Sequence, residues 1–362
     1  MSRTGVLHLI DTLSPGGAER MCVQLANALP PGQFAAHVCA TRRAGPLAKE
    51  IAPHVGFLDL RRRGRFDPLA VWRLRRYIQR HGIRILHAHG TSAFLAVAVR
   101  AVTPGLKVYW HDHYGARSEL RGAPAPYRLL RAGLDGAIVV NERLRAWARE
   151  KLGLAQERVW LLPNFPAQAP DAPCGALPGE PPFRIVQIAN LRPDKDHPMM
   201  LRALRRIADE EPRVHLLLAG EAGEDEYARS VRAQIQRDDL ASHVTLLGLR
   251  EDVPALLRQC ALGVLSSRSE GLPLALLEYG EAGLAVVCTA VGDCPAVLAP
   301  LGGGCLVPAG DSAAMAQAAL ALLKDEKRRR EQGANLQRTV RERYSQEAAI
   351  RTVTEIYAHA IA

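Results

Sequence analysis

The residues best suited to chemistry lie in short polar segments, each following an apolar run. The richest reads Ser266-Ser267-Arg268-Ser269-Glu270-Gly271-Leu272-Pro273-Leu274-Ala275-Leu276-Leu277-Glu278. A strand ends near Ser266, a polar loop follows, and Pro273 suits the first turn of a helix, where its missing N–H costs nothing. The backbone of Gly271, Leu272, Pro273 and Leu274 then presents a helix N-terminus, which favours an anion such as phosphate. Glu270 stands just ahead of that helix and Glu278 about two turns later, too far apart to share a proton. Each carboxylate therefore acts alone, for instance by accepting hydrogen bonds from hydroxyls at opposite ends of an extended ligand. The plainer alternative is a pair of solvated glutamates flanking an apolar helix. Leu, Ala and Gly around Glu278 are an odd setting for that.

A second segment is Ala189-Asn190-Leu191-Arg192-Pro193-Asp194-Lys195-Asp196-His197. Arg192 and Lys195 follow a strand and can neutralise a diphosphate. The chain has six lysines against 41 arginines, so a lysine here suggests a specific point charge. The alternative is a plain helix start with Asp194 as its cap. The third segment is the first strand-to-helix turn, Ser14-Pro15-Gly16-Gly17-Ala18-Glu19-Arg20. Gly16 and Gly17 allow a ligand close to the backbone, unless they serve only the geometry of a tight turn. Four histidines follow two other strands: His87 and His89, then His111 and His113. No H-x-x-x-H pair or clustered cysteine accompanies them, so a metal centre is not expected. Neither G-x-G-x-x-G nor G-x-x-x-x-G-K-[ST] occurs, which argues against a dinucleotide oxidoreductase and a P-loop nucleotidase.

Strands must hold these segments at their carboxyl ends. The apolar runs predict strands at 6–10, 36–40, 83–87, 107–111, 137–140 and 159–162, then 184–188, 214–219, 244–247, 262–266, 285–288 and 305–307. Helical stretches alternate with them, and a closing helical stretch runs from about 325 to 361. Such alternation implies parallel sheets, and twelve strands are too many for one. We therefore expect an α/β protein of two Rossmann-like, doubly wound domains facing a cleft. The boundaries are 1–165, a proline-rich linker at 166–182, and 183–345, with a C-terminal helix at 346–362 packing back toward the first domain. Ligands of such sheets bind at strand carboxyl ends near the topological switch point.

At 362 residues, 48% hydrophobic and 23% charged, the composition is that of a folded protein with more than one domain. No apolar run is long enough to span a membrane, and the N-terminal stretch is too short and polar for a signal peptide. Seven scattered cysteines without a C-x-x-C pair read as reduced thiols, so a cytoplasmic location is expected. The net charge of +10 is lopsided. Residues 1–180 carry 25 basic and 13 acidic side chains, whereas 181–362 carry 22 and 24. A basic half suits a nucleic acid, an anionic membrane or a phosphorylated substrate. Few aromatics and no recognised nucleic-acid motif weigh against the first. The densest basic stretch, Arg61-Arg62-Arg63-Gly64-Arg65, runs into a helical segment at 67–81, where Arg73, Arg75, Arg76 and Arg80 accompany the apolar stripe Val71, Leu74 and Ile78. The stripe should pack on the sheet and leave the arginines outward, facing an anionic membrane surface or merely solvent.

Together the P-G-G-A-E-R turn, N-L-R-P-x-K-x-H at 190–197, V-T-L-L-G at 244–248 and E-G-L-P-L-x-L-L-E at 270–278 resemble the retaining glycosyltransferases of family 4, across essentially the whole chain. The resemblance implies a GT-B fold and transfer of a sugar from a nucleotide diphosphate sugar, UDP favoured, to a hydroxyl of a glycan or lipid-linked acceptor. It implies no metal or other cofactor. In its terms Glu270 contacts the donor sugar, Glu278 holds the ribose, and Gly271 to Leu274 bind the diphosphate with Lys195. The family's G-R-L opening is Ala189-Asn190-Leu191 here, which places Asn190 where its arginine stands and leaves Arg192 to replace it. Gly16 and Gly17 match the loop facing the donor phosphates, and His111 the histidine near the reacting sugar. Its neighbour Asp112 either sets the imidazole tautomer or caps a turn. Envelope polysaccharide or glycolipid assembly, with peripheral attachment to the inner face of the cytoplasmic membrane, is the expected setting. A nucleotide-sugar epimerase or hydrolase of the same fold is the alternative.

Overall fold

The computed structural model describes residues 3–115, 117, 120, 122–166 and 174–361. Residues 167–173 of the expected linker lie outside the described residues. The chain divides into two units, Met1–Asn164 with Gln346–Ala362, and Phe165–Ser345.

The first unit is built on strands β1 (Thr4–Thr12), β2 (Phe34–Arg43), β3 (Gly56–Asp59), β4 (Ile83–His89), β5 (Lys107–Asp112), β6 (Gly136–Val139) and β7 (Val159–Leu161). They form one parallel sheet in the order β3-β2-β1-β4-β5-β6-β7. Its helices are α1 (Gly17–Ala28), α2 (Pro68–Arg80), α3 (Ala93–Arg100), α4 (Ala125–Ala132) and α5 (Glu142–Glu150). The second unit contains α6 (His197–Glu210), α7 (Glu226–Arg237), α8 (Val253–Arg258), α9 (Leu274–Glu281), α10 (Cys294–Leu298), α11 (Ser312–Lys324) and α12 (Glu326–Arg343). Its strands are β8 (Arg184–Ile188), β9 (His215–Ala219), β10 (Val244–Gly248), β11 (Leu262–Leu265), β12 (Ala285–Thr289) and β13 (Gly304–Val307), ordered β10-β9-β8-β11-β12-β13. The last helix, α13 (Gln346–Ile361), belongs to the first unit.

Strand order reverses between β1 and β4 in one sheet and between β8 and β11 in the other. Those are the places where parallel sheets open a crevice. Each sheet is covered by apolar helix faces, so the central strands are buried almost throughout. Helix starts are local in origin: Asp67, Asn141, Asp225, Asp311 and Asp325 each accept a backbone N–H at the head of the following helix.

The twelve expected strands become thirteen. The addition, β3, is a four-residue edge strand whose Gly-Phe-Leu-Asp sequence shows no clear alternation. The closing helical stretch is two helices, because α12 ends at Arg343 and a new helix starts at Gln346. Helix α10 was not expected; five residues carry too little periodicity to read. All seven cysteines are free thiols. Among the described residues, no helix is long and apolar enough to cross a membrane.

Candidate active site

In the second unit, the loops leaving β8 and β11 are bonded to one another. The Ser266 hydroxyl donates to the Lys195 carbonyl at 2.8 Å, and the Arg268 N–H to the Asp194 carbonyl at 2.8 Å. Lys195 Nζ then donates to Glu270 Oε1 at 2.8 Å, and Ser267 Oγ donates to the same oxygen at 2.6 Å. Asp194 lies 3.2 Å from the ammonium on another side. Two residues separated by 75 positions thus meet as an ion pair, with the Glu270 side chain only 9% exposed. Burial alone would lower the Lys195 pKa, but Glu270 and Asp194 outweigh it and hold the ammonium above its ordinary range. Lys195 is therefore a charged group already shared by two carboxylates, a different state from an unattached phosphate ligand.

Crevice geometry follows from one tyrosine. Strands β8 and β11 pair only at Ile185–Leu262 and Val186–Gly263. Past that point the buried Tyr279 hydroxyl, from α9, accepts the Ile188 N–H at 2.7 Å and donates to the Val264 carbonyl at 3.2 Å. Gly263 makes room for it, since a Cβ there would lie 2.7 Å from the ring. Tyr279 thus anchors α9 on the sheet beside the switch point, and with it the neighbouring, half-buried Glu278. A second anchor is the turn at Gly292, whose φ of +54° suits glycine. A Cβ there would stand 2.4 Å from the Glu270 carbonyl oxygen, while the Asp293 N–H donates to the Gly271 carbonyl at 2.9 Å. Leu272, Pro273 and Leu274 are buried and lead into α9, with Pro273 at its N-cap. Pro273 supplies no N–H, so the donors of this terminus come from its neighbours.

Arg192 shares the turn that carries Lys195, its carbonyl accepting the Lys195 N–H at 3.0 Å. Arg192 is exposed and, among the described residues, carries no ion pair. The Asn190 side-chain Oδ1 accepts the Glu221 N–H at 2.9 Å, which ties it to the turn after β9. Asp194 does not cap α6. That role falls to Asp196, in the left-handed region at φ 45°, whose carboxylate accepts the Met199 N–H and pairs with Arg268 at 2.7 Å. The spacing of acidic residues did not distinguish the two.

In the first unit, Gly16 is extended at φ −166° and neither Gly16 nor Gly17 has a positive φ, so turn geometry does not demand glycine. A Cβ at Gly17 would meet nothing within 4 Å, leaving open space above the start of α1. His111 lies at the end of β5, opposite His89 on β4, and is fully buried. It belongs to a layer of five histidines that also includes His8 on β1, opposite His87. His8 Nδ1 meets His89 Nε2 at 3.2 Å, and His89 Nδ1 meets His113 Nε2 at 3.0 Å. His87 Nε2 meets His111 Nδ1 at 2.9 Å, and His87 Nδ1 meets the Tyr357 hydroxyl of α13 at 2.5 Å. Burial lowers all five pKa values, His8 to about 3 and His113 to about 4, the other three well below the ordinary value, so the rings are neutral at pH 7.

His87, His89 and His111 offer nitrogens within 4.8 Å of one another, and so do His8 and His89 with Cys22. Yet the His87 and His89 rings lie 4.6 Å apart and 13° from parallel, which holds their lone pairs in separate planes rather than aimed at one ion. Hydrogen-bonded neutral imidazoles describe the layer better. Asp112 does not set the His111 tautomer. It pairs with Arg117 at 2.6 Å and accepts the Tyr114 N–H at 3.2 Å. Burial raises its carboxyl to about 6 despite that arginine. His8 and Tyr357 were missed: His8 is a single polar residue inside the apolar run 6–10, and nothing local links Tyr357 to a strand 270 positions away.

A family model described as Glycosyltransferase Family 4 matches residues 15–165, and one described as Glycosyl transferases group 1 matches residues 182–325. The chain is 30% identical over 239 residues to an exopolysaccharide phosphotransferase of Streptomyces coelicolor, covering 65% of this chain but 24% of that protein's length. It is 27% identical over 335 residues to a phosphatidyl-myo-inositol mannosyltransferase of Mycolicibacterium smegmatis, covering 90% of this chain and 81% of the relative. Among solved structures, Anabaena HepE in complex with UDP and glucose superposes with a TM-score of 0.82 at 18% identity, covering 99% of this chain and all of that one. The two parallel-sheet units are therefore those of the GT-B fold.

Proposed function

This chain belongs to glycosyltransferase family 4 and is a glycosyltransferase, and from that premise we propose a UDP-sugar donor and retention of anomeric configuration. The observation that carries the reading is the Lys195–Glu270 pair beside the N-terminus of α9, at the switch point between β8 and β11. As the glycosidic bond to the diphosphate breaks, negative charge grows on the leaving oxygens and positive charge on the sugar. Lys195 and the helix terminus are suited to the first, the Glu270 carboxylate to the second and to the sugar hydroxyls. Arg192 is exposed and available to the diphosphate, and the carboxylate of Glu278 is suited to the ribose hydroxyls. These fixed charges supply the positive field without a metal.

For the acceptor we propose a lipid-linked glycan at an anionic membrane, in envelope polysaccharide or glycolipid assembly at the cytoplasmic face. Ala70, Leu74 and Ile78 of α2 are buried, and Arg73, Arg75, Arg76 and Arg80 are exposed. Arg62 is different: its side chain is 7% exposed and pairs with Asp11, so it is not part of the outward basic face. Beside the arginines stand Phe66 at 96% exposure, Leu69 at 69% and Trp72 at 55%, apolar groups that a lipid surface would cover. Both halves can be tested in one reaction. With EDTA, a UDP-sugar and a lipid diphosphate acceptor in anionic vesicles at low salt, the wild type is expected to form a product with the donor's anomeric configuration. Replacing Phe66, Leu69 and Trp72 with Ser should lower vesicle sedimentation at least tenfold and leave UDP binding intact. An inverted product, activity lost with EDTA and restored by Mg²⁺, or an epimerised or hydrolysed donor without transfer would contradict the reading.

A further inference from the structure

The histidine layer contains two hydrogen-bonded chains that meet at Tyr357, through its 3.5 Å contact to His8 Nε2, and one of them ends at His111. A neutral imidazole has one N–H and one lone pair, so each bond along a chain fixes the direction of the next. Suppose the Tyr357 hydroxyl donates to His87 Nδ1. His87 then carries its proton on Nε2 and donates to His111 Nδ1, which leaves the His111 proton on Nε2. Were Tyr357 to donate to His8 Nε2 instead, His87 Nδ1–H would donate to the tyrosine oxygen. His87 Nε2 would then accept from His111 Nδ1–H, and His111 Nε2 would be a bare acceptor. The second arrangement needs the Tyr357 hydroxyl to donate across the longer of its two contacts, which favours the first. Tyr357 Oη lies 2.5 Å from His87 Nδ1 and 3.5 Å from His8 Nε2. At the far end, His111 Nε2 is buried and without a partner among the described residues. A buried donor with nothing to bind is costly, which points to a ligand acceptor completing the chain.

We propose that Tyr357, acting through His87, locks His111 as the Nε2–H tautomer, so that His111 offers a hydrogen-bond donor and not a base at its unpartnered end. Tyr357 is then a positioning residue, supplied by a helix that follows the entire second unit in sequence yet packs in the first. The inference rests on the glycosyltransferase reading, in which an N–H donor at the unpartnered end of His111 would bind a hydroxyl oxygen of a ligand. It also gives the return of the chain to the first unit a chemical role, since no other described residue bonds His87 Nδ1.

The test reads tautomers and turnover separately. In protein labelled with ¹⁵N-histidine, long-range ¹H–¹⁵N spectra assigned by a His111→Asn variant should show wild-type His111 with its proton on Nε2. In Tyr357→Phe the Nδ1–H form should appear. The same variant should lose about tenfold in kcat, the scale typical of partners that orient a functional histidine, with UDP affinity unchanged. A wild-type His111 protonated on Nδ1 would overturn the proposal even if Tyr357→Phe failed to fold. So would a Tyr357→Phe variant with unaltered tautomer and kcat. If the wild type transfers no sugar while its His111 is the Nε2–H form, the functional reading fails and the tautomer assignment stands.

Discussion

Glu270→Gln is expected to cut sugar transfer by roughly 100-fold while UDP binds as well as before or up to about threefold more tightly. The amide keeps the shape and can still accept from Ser267, which donates at 2.6 Å. What it loses is the charge that would hold the donor sugar. Two hydrogen bonds to a carboxylate, weakened at ~1.5 kcal/mol each, amount to ~3 kcal/mol, or about two orders of magnitude in rate. Nucleotide affinity should move the other way, because Glu270, 2.8 Å from Lys195, would compete with a phosphate for it. Glu278→Ala should show the reverse pattern, losing nucleotide affinity first. Steady-state kinetics with calorimetric UDP titration separates the two effects. Equal loss of UDP binding in both variants would mean that Glu270 shapes the phosphate site and has no distinct role toward the sugar.

Acid should unfold the first unit well before it affects an ordinary domain. His8, His87, His89, His111 and His113 are buried and neutral, with His8 lowered to about 3 and His113 to about 4. In the unfolded chain the same rings take up protons near pH 6.5. Below that pH the unfolded state binds more protons than the folded one, so stability falls as pH falls, until the folded rings themselves protonate. Each ring contributes up to ~1.4 kcal/mol per pH unit across that window. Asp112 opposes them: raised to about 6, it takes up its proton sooner in the folded state and adds stability on acidification between about 6 and 3.8. Five groups outweigh one. A loss of several kcal/mol between pH 6.5 and 5 compares with the whole stability of a typical domain, ~5–15 kcal/mol. Urea denaturation at pH 7, 6 and 5 measures it, and a flat midpoint across that range would show that the layer carries protons when folded.

Legibility in the sequence followed the range of the interactions. The strands around both switch points were readable because each is a short apolar run ending in polar residues. The E-G-L-P-L-x-L-L-E segment announced a helix start beneath two carboxylates for the same local reason. The partnership between Lys195 and Glu270 was not readable, because it depends on β8 and β11 being neighbours in a sheet rather than in the chain. Arg62 looked like one more arginine in a basic run. Only the fold shows it turned inward to Asp11, which also binds Thr41 at 2.6 Å. Tyr279 read as an aromatic residue in an apolar helix, whereas its hydroxyl spans the gap between two strands. The histidine layer was half visible: four members cluster at the ends of two neighbouring strands, but His8 and Tyr357 join them only through sheet order and the return of α13.

The central claim is that the second unit binds a nucleoside diphosphate through Lys195 at the switch point. Calorimetric titration of UDP, GDP and ADP into the wild type and Lys195→Ala, in EDTA, tests it most directly. A charge-assisted contact with phosphate is worth ~1.5–3 kcal/mol. We therefore expect at least one of these nucleotides, UDP foremost, to bind the wild type and to bind Lys195→Ala about ten- to a hundredfold more weakly. Equal affinities in the two proteins, or no binding of any of the three to the wild type, would contradict the account.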